Sequence, residues 1–342
     1  MREQSFVRSV VVVFAAAVGL AWVSDARGAQ LPNPTITASA DPFSPQYVAD
    51  NVFDAGALEF ATSGNAAGTP LSDDPNDGTW INFDFGEDVT FDTFVQRTRR
   101  NTVDIVGRSR LVLSPDGTFD ASDPTVEFNP SGQNGAGLVQ RFAPRTARYV
   151  RWEVLTAPGT SPNLGAHQMF FMRTPAGLTP LPNPTAYNGT PAFNPNYALQ
   201  NAANGNAGRD GAGNEYASQG RGVATFVDFD FGAAVELAGF DFFNREQDVI
   251  TSYDMAFSNS PEFDTPETTG LSFTASGNGN QVNSEVFGET ITARYVRFQA
   301  TGFSGSPNTG ISEILFYTPV PEPGALALLG AGALAALRRR RA

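Results

Sequence analysis

The sequence predicts an all-β protein made of two tandem β-sandwiches, with an N-terminal signal peptide in front and a short apolar C-terminal helix behind. Three observations carry this. The chain repeats itself in order: "LPNPT" begins at Leu31 and again at Leu181, "WINFDFG" at Trp80 is answered by "FVDFDFG" at Phe226, and "ARYVRW" at Ala147 by "ARYVRF" at Ala293. Within these segments Ile81, Phe83 and Phe85 alternate with Asn82 and Asp84, a period of two that buries one strand face and wets the other. The 34 glycines and 24 prolines punctuate short segments, and no long stretch of 3.6-residue periodicity appears between residues 31 and 319.

Taken in chain order, the first element is a leader. Arg2 and Arg8 precede an apolar run from Val10 to Val23, followed by small residues, which is the layout of a secretory signal peptide over residues 1–26. Cleavage is expected after Ala26, with Gly28 or Ala29 as alternative ends and an uncleaved N-terminal anchor as the other reading. The first sandwich is expected over 31–175, a linker over 176–180 and the second sandwich over 181–319.

Further matches fill in the repeat. "EFATSG" at Glu59 corresponds to "EYASQG" at Glu215, "SPDGTFD" at Ser114 to "SNSPEFD" at Ser258, and the closing "GAHQMFFMRTP" at Gly165 to "GISEILFYTP" at Gly310. Spacing varies where loops belong: "NGNAGRDGAG" from Asn204 is longer than "DAGA" from Asp54, and the stretch before Trp80 is ten residues longer than its counterpart. Asp228 and Asp230 are expected on the wet face of their strand, opposite Val227, Phe229 and Phe231.

Composition narrows the partners. The formal charge is −13; residues 1–26 contribute zero and residues 320–342 contribute +3, so the body between them carries −16. Such a body repels nucleic acid and anionic membrane surfaces and attracts cations, so no nucleic-acid partner is expected. With no cysteine there are no disulfides, and stability must come from packed cores.

The last element, residues 320–342, is too short to span a bilayer well. Gly324 to Leu337 gives 14 residues, about 21 Å as a helix against roughly 30 Å of hydrocarbon. Ahead of that run stand Pro321, Glu322 and Pro323, and behind it Arg338, Arg339, Arg340 and Arg341. This order resembles a PEP-CTERM protein. The resemblance implies recognition by a membrane-bound exosortase, transient membrane contact through the tail, and delivery to the cell surface or extracellular matrix of a Gram-negative-type bacterium.

A second resemblance rests on the repeat. A unit with an Asn- and Ala-rich turn, a "WI.FDFG"-like strand and a closing "ARYVRF" then "GISEI" is similar to the discoidin, or coagulation factor V/VIII type C, family. It implies jelly-roll sandwiches of the galactose-binding-like type, and binding rather than catalysis: of glycans above all, including exopolysaccharide, at the loops of one end. A structural or adhesive role through protein contacts is the alternative. The resemblance also implies a structural Ca²⁺ held by oxygen ligands between the early turn and the closing strand. On this chain that maps to Asn204 with Glu313 in the second repeat and to Asp54 with Gln168 in the first.

Catalytic motifs are missing from the sequence. There is one histidine, His167, and no cysteine, which rules out histidine metal clusters and Cys-His pairs; no GxSxG, P-loop or HExxH occurs. The carboxylates are too many and scattered to nominate a pair, which leaves a carboxylate-based glycoside hydrolase as a minor alternative. His167 is read as a structural or surface residue. "RDG" at Arg209 carries no motif meaning in an Asn/Gly loop, and "DDPNDG" from Asp73 departs from a Ca²⁺ loop at Pro75, so it reads as solvated.

For ligand contacts the sequence offers two matching polar stretches, "RTRRNTVDIV" from Arg97 and "NREQDVI" from Asn244. Planar Arg and Asn or Asp groups can pair with sugar hydroxyls, which nominates Arg99, Asn101 and Asp104 in one repeat and Asn244, Arg245 and Asp248 in the other. The plainer reading is that the charged pair braces a hairpin turn.

Overall fold

The computed structural model describes residues 29–53, 58–63, 71–74, 76–100, 104, 106–129, 135–157, 163–209, 213–264, 269–276 and 281–321. Residues 1–26, expected as a signal peptide, and the sorting signal from Glu322 onward lie outside the described residues.

The strands of the first unit are β1 (Ala29–Gln30), β2 (Thr35–Ser39), β3 (Phe60–Ala61), β4 (Trp80–Thr98), β5 (Arg108–Ser114), β6 (Thr125–Phe128), β7 (Gly137–Thr156) and β8 (Gly165–Arg173). The second unit repeats them as β9 (Leu178–Pro180), β10 (Thr185–Gly189), β11 (Tyr216–Ala217), β12 (Phe226–Asn244), β13 (Val249–Ser258), β14 (Thr269–Thr274), β15 (Val282–Ser304) and β16 (Gly310–Pro319). Each unit is an eight-stranded sheet. The first runs β1-β8-β4-β7-β5-β6 with β2 on β4 and β3 on β8; the second runs β11-β16-β12-β15-β13-β14 with β10 on β12 and β9 on β16. Adding eight to each first-unit strand number gives the second-unit pairing.

The quoted motifs explain how one sheet becomes two layers. In "FDFG" the ladder between β4 and β7 breaks between Asp84 and Val89, and that between β12 and β15 breaks between Asp230 and Val235. Gly86 and Gly232 sit inside those breaks with φ of 79° and 78°, a left-handed conformation that glycine alone adopts readily. The preceding aspartates cap the bends, accepting from Gly86 N and Gly232 N at 2.7 Å each. They also grip the first arginine of "ARYVR": Arg148 on Asp84 and Arg294 on Asp230, each at 2.8 and 3.0 Å. The strand pair folds over at the bend, so Phe83 before it meets Phe171 of β8 across the core with ring centroids 5.4 Å apart. Phe91, Phe94 and Trp152 complete that core; Phe229, Phe240, Phe242, Tyr253 and Phe316 form the second.

Two sequence expectations change here. Residues 178–180, read as linker, form β9 on the edge of the second sheet, as β1 does on the first, because the chain ahead of "LPNPT" extends the repeat. Asp228 is not on a wet face: it is fully buried and clamps Arg297 at 2.6 and 2.8 Å.

A third apolar cluster joins the units. Val95, Phe170 and Met172, on the outer face of β4 and β8, pack with Ala207, Phe243 and Leu315 of the second unit. This is why "MFFM" from Met169 and "ILFY" from Ile314 are unbroken apolar runs, since strands buried on both faces lose the alternation. The Asn204 loop closes the seam. Its backbone pairs with the start of β7 through Val139 N to Gly205 O at 3.0 Å, Ala207 N to Gly137 O at 2.8 Å and Arg209 N to Gly135 O at 2.9 Å. A buried ion cluster lies beside it: Glu246 binds Arg209 and, at 3.0 Å, Arg100, while His167 lies 3.9 Å from Glu59 and 3.7 Å from Glu246. Burial, with Arg97 and Arg100 nearby, holds the His167 imidazole down at about 3, so it is neutral at pH 7.

Candidate functional site

At one end of each unit the β2–β3 or β10–β11 loop, the "R" of the polar stretch and the loop before the closing strand converge. In the first unit Phe43 stands 52% exposed, with its ring 5.8 Å from Tyr47 in an edge-on contact. The Arg99 guanidinium lies 5.3 Å from the Tyr47 ring. Arg99 is held by Glu59 at 3.0 Å, by Asp104, and by the Asn163 carbonyl at 2.8 Å. In the second unit Phe193 stands 47% exposed, 5.8 Å from Tyr197, and Arg245 lies 5.5 Å from the Tyr197 ring. Arg245 binds Glu215 at 3.0 Å, Asp248 at 3.4 Å and the Asn308 carbonyl at 2.5 Å.

The scaffold beneath repeats as well. Asn51 Nδ2 donates to the carbonyls of Gln46 and Glu59 at 2.7 and 2.9 Å; Asn201 Nδ2 donates to those of Asn196 and Glu215 at 3.0 Å each. Phe43 N and Phe193 N donate to the carbonyls of Ala61 and Ala217. A short "F-x-P-x-Y" segment therefore presents the same ring on the same support twice. Phe303 and Val223, also exposed, extend the apolar surface of the second loop end.

The nominated ligand residues turn out to be that support. Arg99, Asp104 and Arg245 are buried, Asp248 is half-buried, and their charges are committed to one another and to Glu59 and Glu215. Asn244 is fully buried; its side chain donates to Ile250 O at 2.7 Å and accepts from Arg245 N and Ile250 N. Asn101 lies outside the described residues. The geometry is that of the brace: desolvated arginines must be neutralised, and the nearby carboxylates do this before any sugar arrives. The rings themselves escaped the sequence reading, although "FSPQY" and "FNPNY" were there to be aligned.

Of the residues mapped to a cation, the three that are described already have other partners. Glu313 is fully buried, and its Oε2 accepts from Gly205 N at 2.7 Å and Asn206 N at 2.9 Å, where a cation would meet amide hydrogens. Burial pushes Glu313 up to about 8, against those donors and Ile314 N. Asn204 Oδ1 accepts from Asn206 N, and Gln168 Oε1 from Arg97 at 2.5 Å. Asp54 lies outside the described residues, and among the described residues no three His, Asp or Glu gather as a metal site.

A two-layer β-fold with bent strands and a loop-end site is the architecture of the galactose-binding-like class. Residues 186–315 match the F5/8 type C domain, and residues 319–341 match the PEP-CTERM protein-sorting motif, which marks the chain for export and sorting to the cell surface. No curated protein matches the sequence. Among solved structures, the chain is similar to the CBM32-1 and CBM32-2 domains of Clostridium perfringens ZmpB, at 12% identity over 87% of this chain and 97% of that one, with a TM-score of 0.34. It is similar to an f-lectin from striped bass (Morone saxatilis) serum at 13% identity, over 84% and 97%, with a TM-score of 0.33. It is also similar to the family 32 CBM of C. perfringens NanJ, solved in complex with galactose, at 19% identity over 41% and 98%, with a TM-score of 0.33.

Proposed function

We propose that this is an exported, non-catalytic protein of the cell surface or extracellular matrix of a Gram-negative-type bacterium that binds neutral polysaccharide through both loop ends, the first repeat being a second domain of the F5/8 type C kind. An exosortase reads the tail, which touches the membrane during sorting. One observation carries the binding role: an exposed phenylalanine, backed by a tyrosine and an ion-paired arginine, built twice on the same scaffold. Singly exposed apolar rings need no explanation, but a ring held rigid at the same loop in both units offers the C–H face of a sugar a prepared surface.

Charge supports a neutral ligand. Arg99 faces Glu59 and Asp104, and Arg245 faces Glu215 and Asp248, so neither bracing arginine keeps a positive charge for a uronate or sulfate, and the exposed cation beside the second loop end is Arg221. The same pairing supports binding over hydrolysis, since a glycosidase needs carboxylates directed at the substrate rather than at arginine.

A glycan array with wild type, Phe43→Ala, Phe193→Ala and the double variant tests this. Neutral glycans should be retained, and each ring should be worth about tenfold in affinity at its own site, with melting temperature nearly unchanged because both rings are exposed. Retention of no glycan, or preference for acidic ones, would overturn the reading.

A further inference from the structure

We infer that the two loop ends form one continuous binding face that holds a single extended glycan chain. This deepens the proposed function and rests on it. The register of the seam aligns the two ends. Arg100 and Glu246 occupy equivalent positions just beyond the ends of β4 and β12, at the loop end of each unit, and they bind each other at 3.0 Å. One step down the same strands, Val95 and Phe170 meet Phe243 and Leu315, the Phe170 and Phe243 rings 6.0 Å apart. Further down, Arg141 and Asp92 of the first unit lie close enough to Asp241 to act on its charge.

Loop end therefore lies against loop end, and strand body against strand body. The two units stand side by side with their loop ends facing the same way. The arginines that support the two tyrosines are the immediate chain neighbours of the contact: Arg99 precedes Arg100, and Arg245 precedes Glu246.

The seam also fixes that arrangement. A third apolar cluster, three backbone hydrogen bonds from the Asn204 loop and the Glu246 ion cluster pack the units against each other. Two rigidly placed sites on one polymer turn the second contact into an intramolecular event, and its effective concentration is high only when a single chain reaches both. A rigid pair thus selects a repeating polymer over a free oligosaccharide.

The test uses the full chain and isothermal titration with the neutral glycan best retained on the array, as a length series from trisaccharide to polymer. Wild type should take up two trisaccharides per chain and show a step in affinity, on the order of tenfold to a hundredfold, at the length that first spans both rings. Phe43→Ala and Phe193→Ala should each bind one trisaccharide with unchanged affinity and the other about tenfold more weakly, and reduce the step about tenfold. A smooth length dependence in wild type, or a step of undiminished size in either variant, overturns the shared face while leaving glycan binding intact. Failure to bind any trisaccharide or polymer overturns the glycan reading itself, and this inference with it.

Discussion

The two units share their cores and their loop ends and differ on the face where they meet. Position by position, Arg97 of the first faces the seam where the second has Phe243, Gln168 where it has Glu313, His167 where it has Ser312, and Arg100 where it has Glu246. A repeat packed against its own copy would put like charge on like charge near the axis; here Arg100 meets Glu246. The one long insertion in the second unit's early turn is the loop that docks on β7 of the first. Divergence within the repeat has thus turned a symmetric face into a complementary one, whereas the parts that fold each sandwich and present each ring stayed alike.

The largest expected effect tests that asymmetry. Glu246 neutralises Arg209, which is almost wholly buried, as well as the half-exposed Arg100. Glu246→Ala takes the carboxylate from a desolvated arginine and should cost about 3 to 5 kcal/mol. Arg100→Ala, at the equivalent position, removes a solvent-screened partner and should cost no more than about 1 kcal/mol. Thermal and urea melts of both variants decide it, and equal losses would break the comparison.

Where the units agree, effects should agree. Arg99→Ala and Arg245→Ala each remove a buried guanidinium from two carboxylates and a carbonyl, so both should lower stability by about 2 to 3 kcal/mol. Calorimetry checks the pair. If Arg245→Ala instead leaves the melt unchanged and weakens glycan binding about tenfold, the arginine touches sugar and the brace reading fails.

How much of this was legible depends on what sets each feature. The repeat, the strand alternation and the "FDFG" bend are written in local spacing, because glycine conformation and a two-residue period act within one strand. The seam was only half legible: "MFFM" and "ILFY" announce strands buried on both faces, but not what covers the second face. Asp228 and Arg99 misled for the same reason. Charged residues at alternating or loop positions look solvated until a partner from a distant strand, Arg297 at β15 or Glu59 at β3, is brought beside them. Glu313 looked like a cation ligand because its oxygens say nothing about the amide hydrogens of the Asn204 turn that reach them first.

The smallest effect sharpens the comparison through pH. His167, free at 6.5 and held at about 3 in the folded protein, is disfavoured in its charged form by burial and by Arg97 and Arg100. Its folded value lies below its unfolded one, so the unfolded chain binds more protons and stability falls as pH drops below 6.5, by about 1 kcal/mol between pH 6.5 and 5.5. Glu313, one position further along the equivalent strand, has the opposite sign. Burial raises it from 4.5 to about 8, so its contribution is present below 4.5 and is lost as pH rises through 8. Seen through melting temperature from pH 5 to 9, His167→Asn should remove a rise that ends near pH 6.5 and leave the profile above it as it is. Glu313→Gln, which keeps an oxygen for Gly205 N and Asn206 N, should remove a decline that runs from pH 5 up to about 8. Between pH 6.5 and about 8 only Glu313→Gln should therefore change the slope; if His167→Asn changes it there, or Glu313→Gln does not, the two faces of the seam do not carry the separate charge states assigned to them.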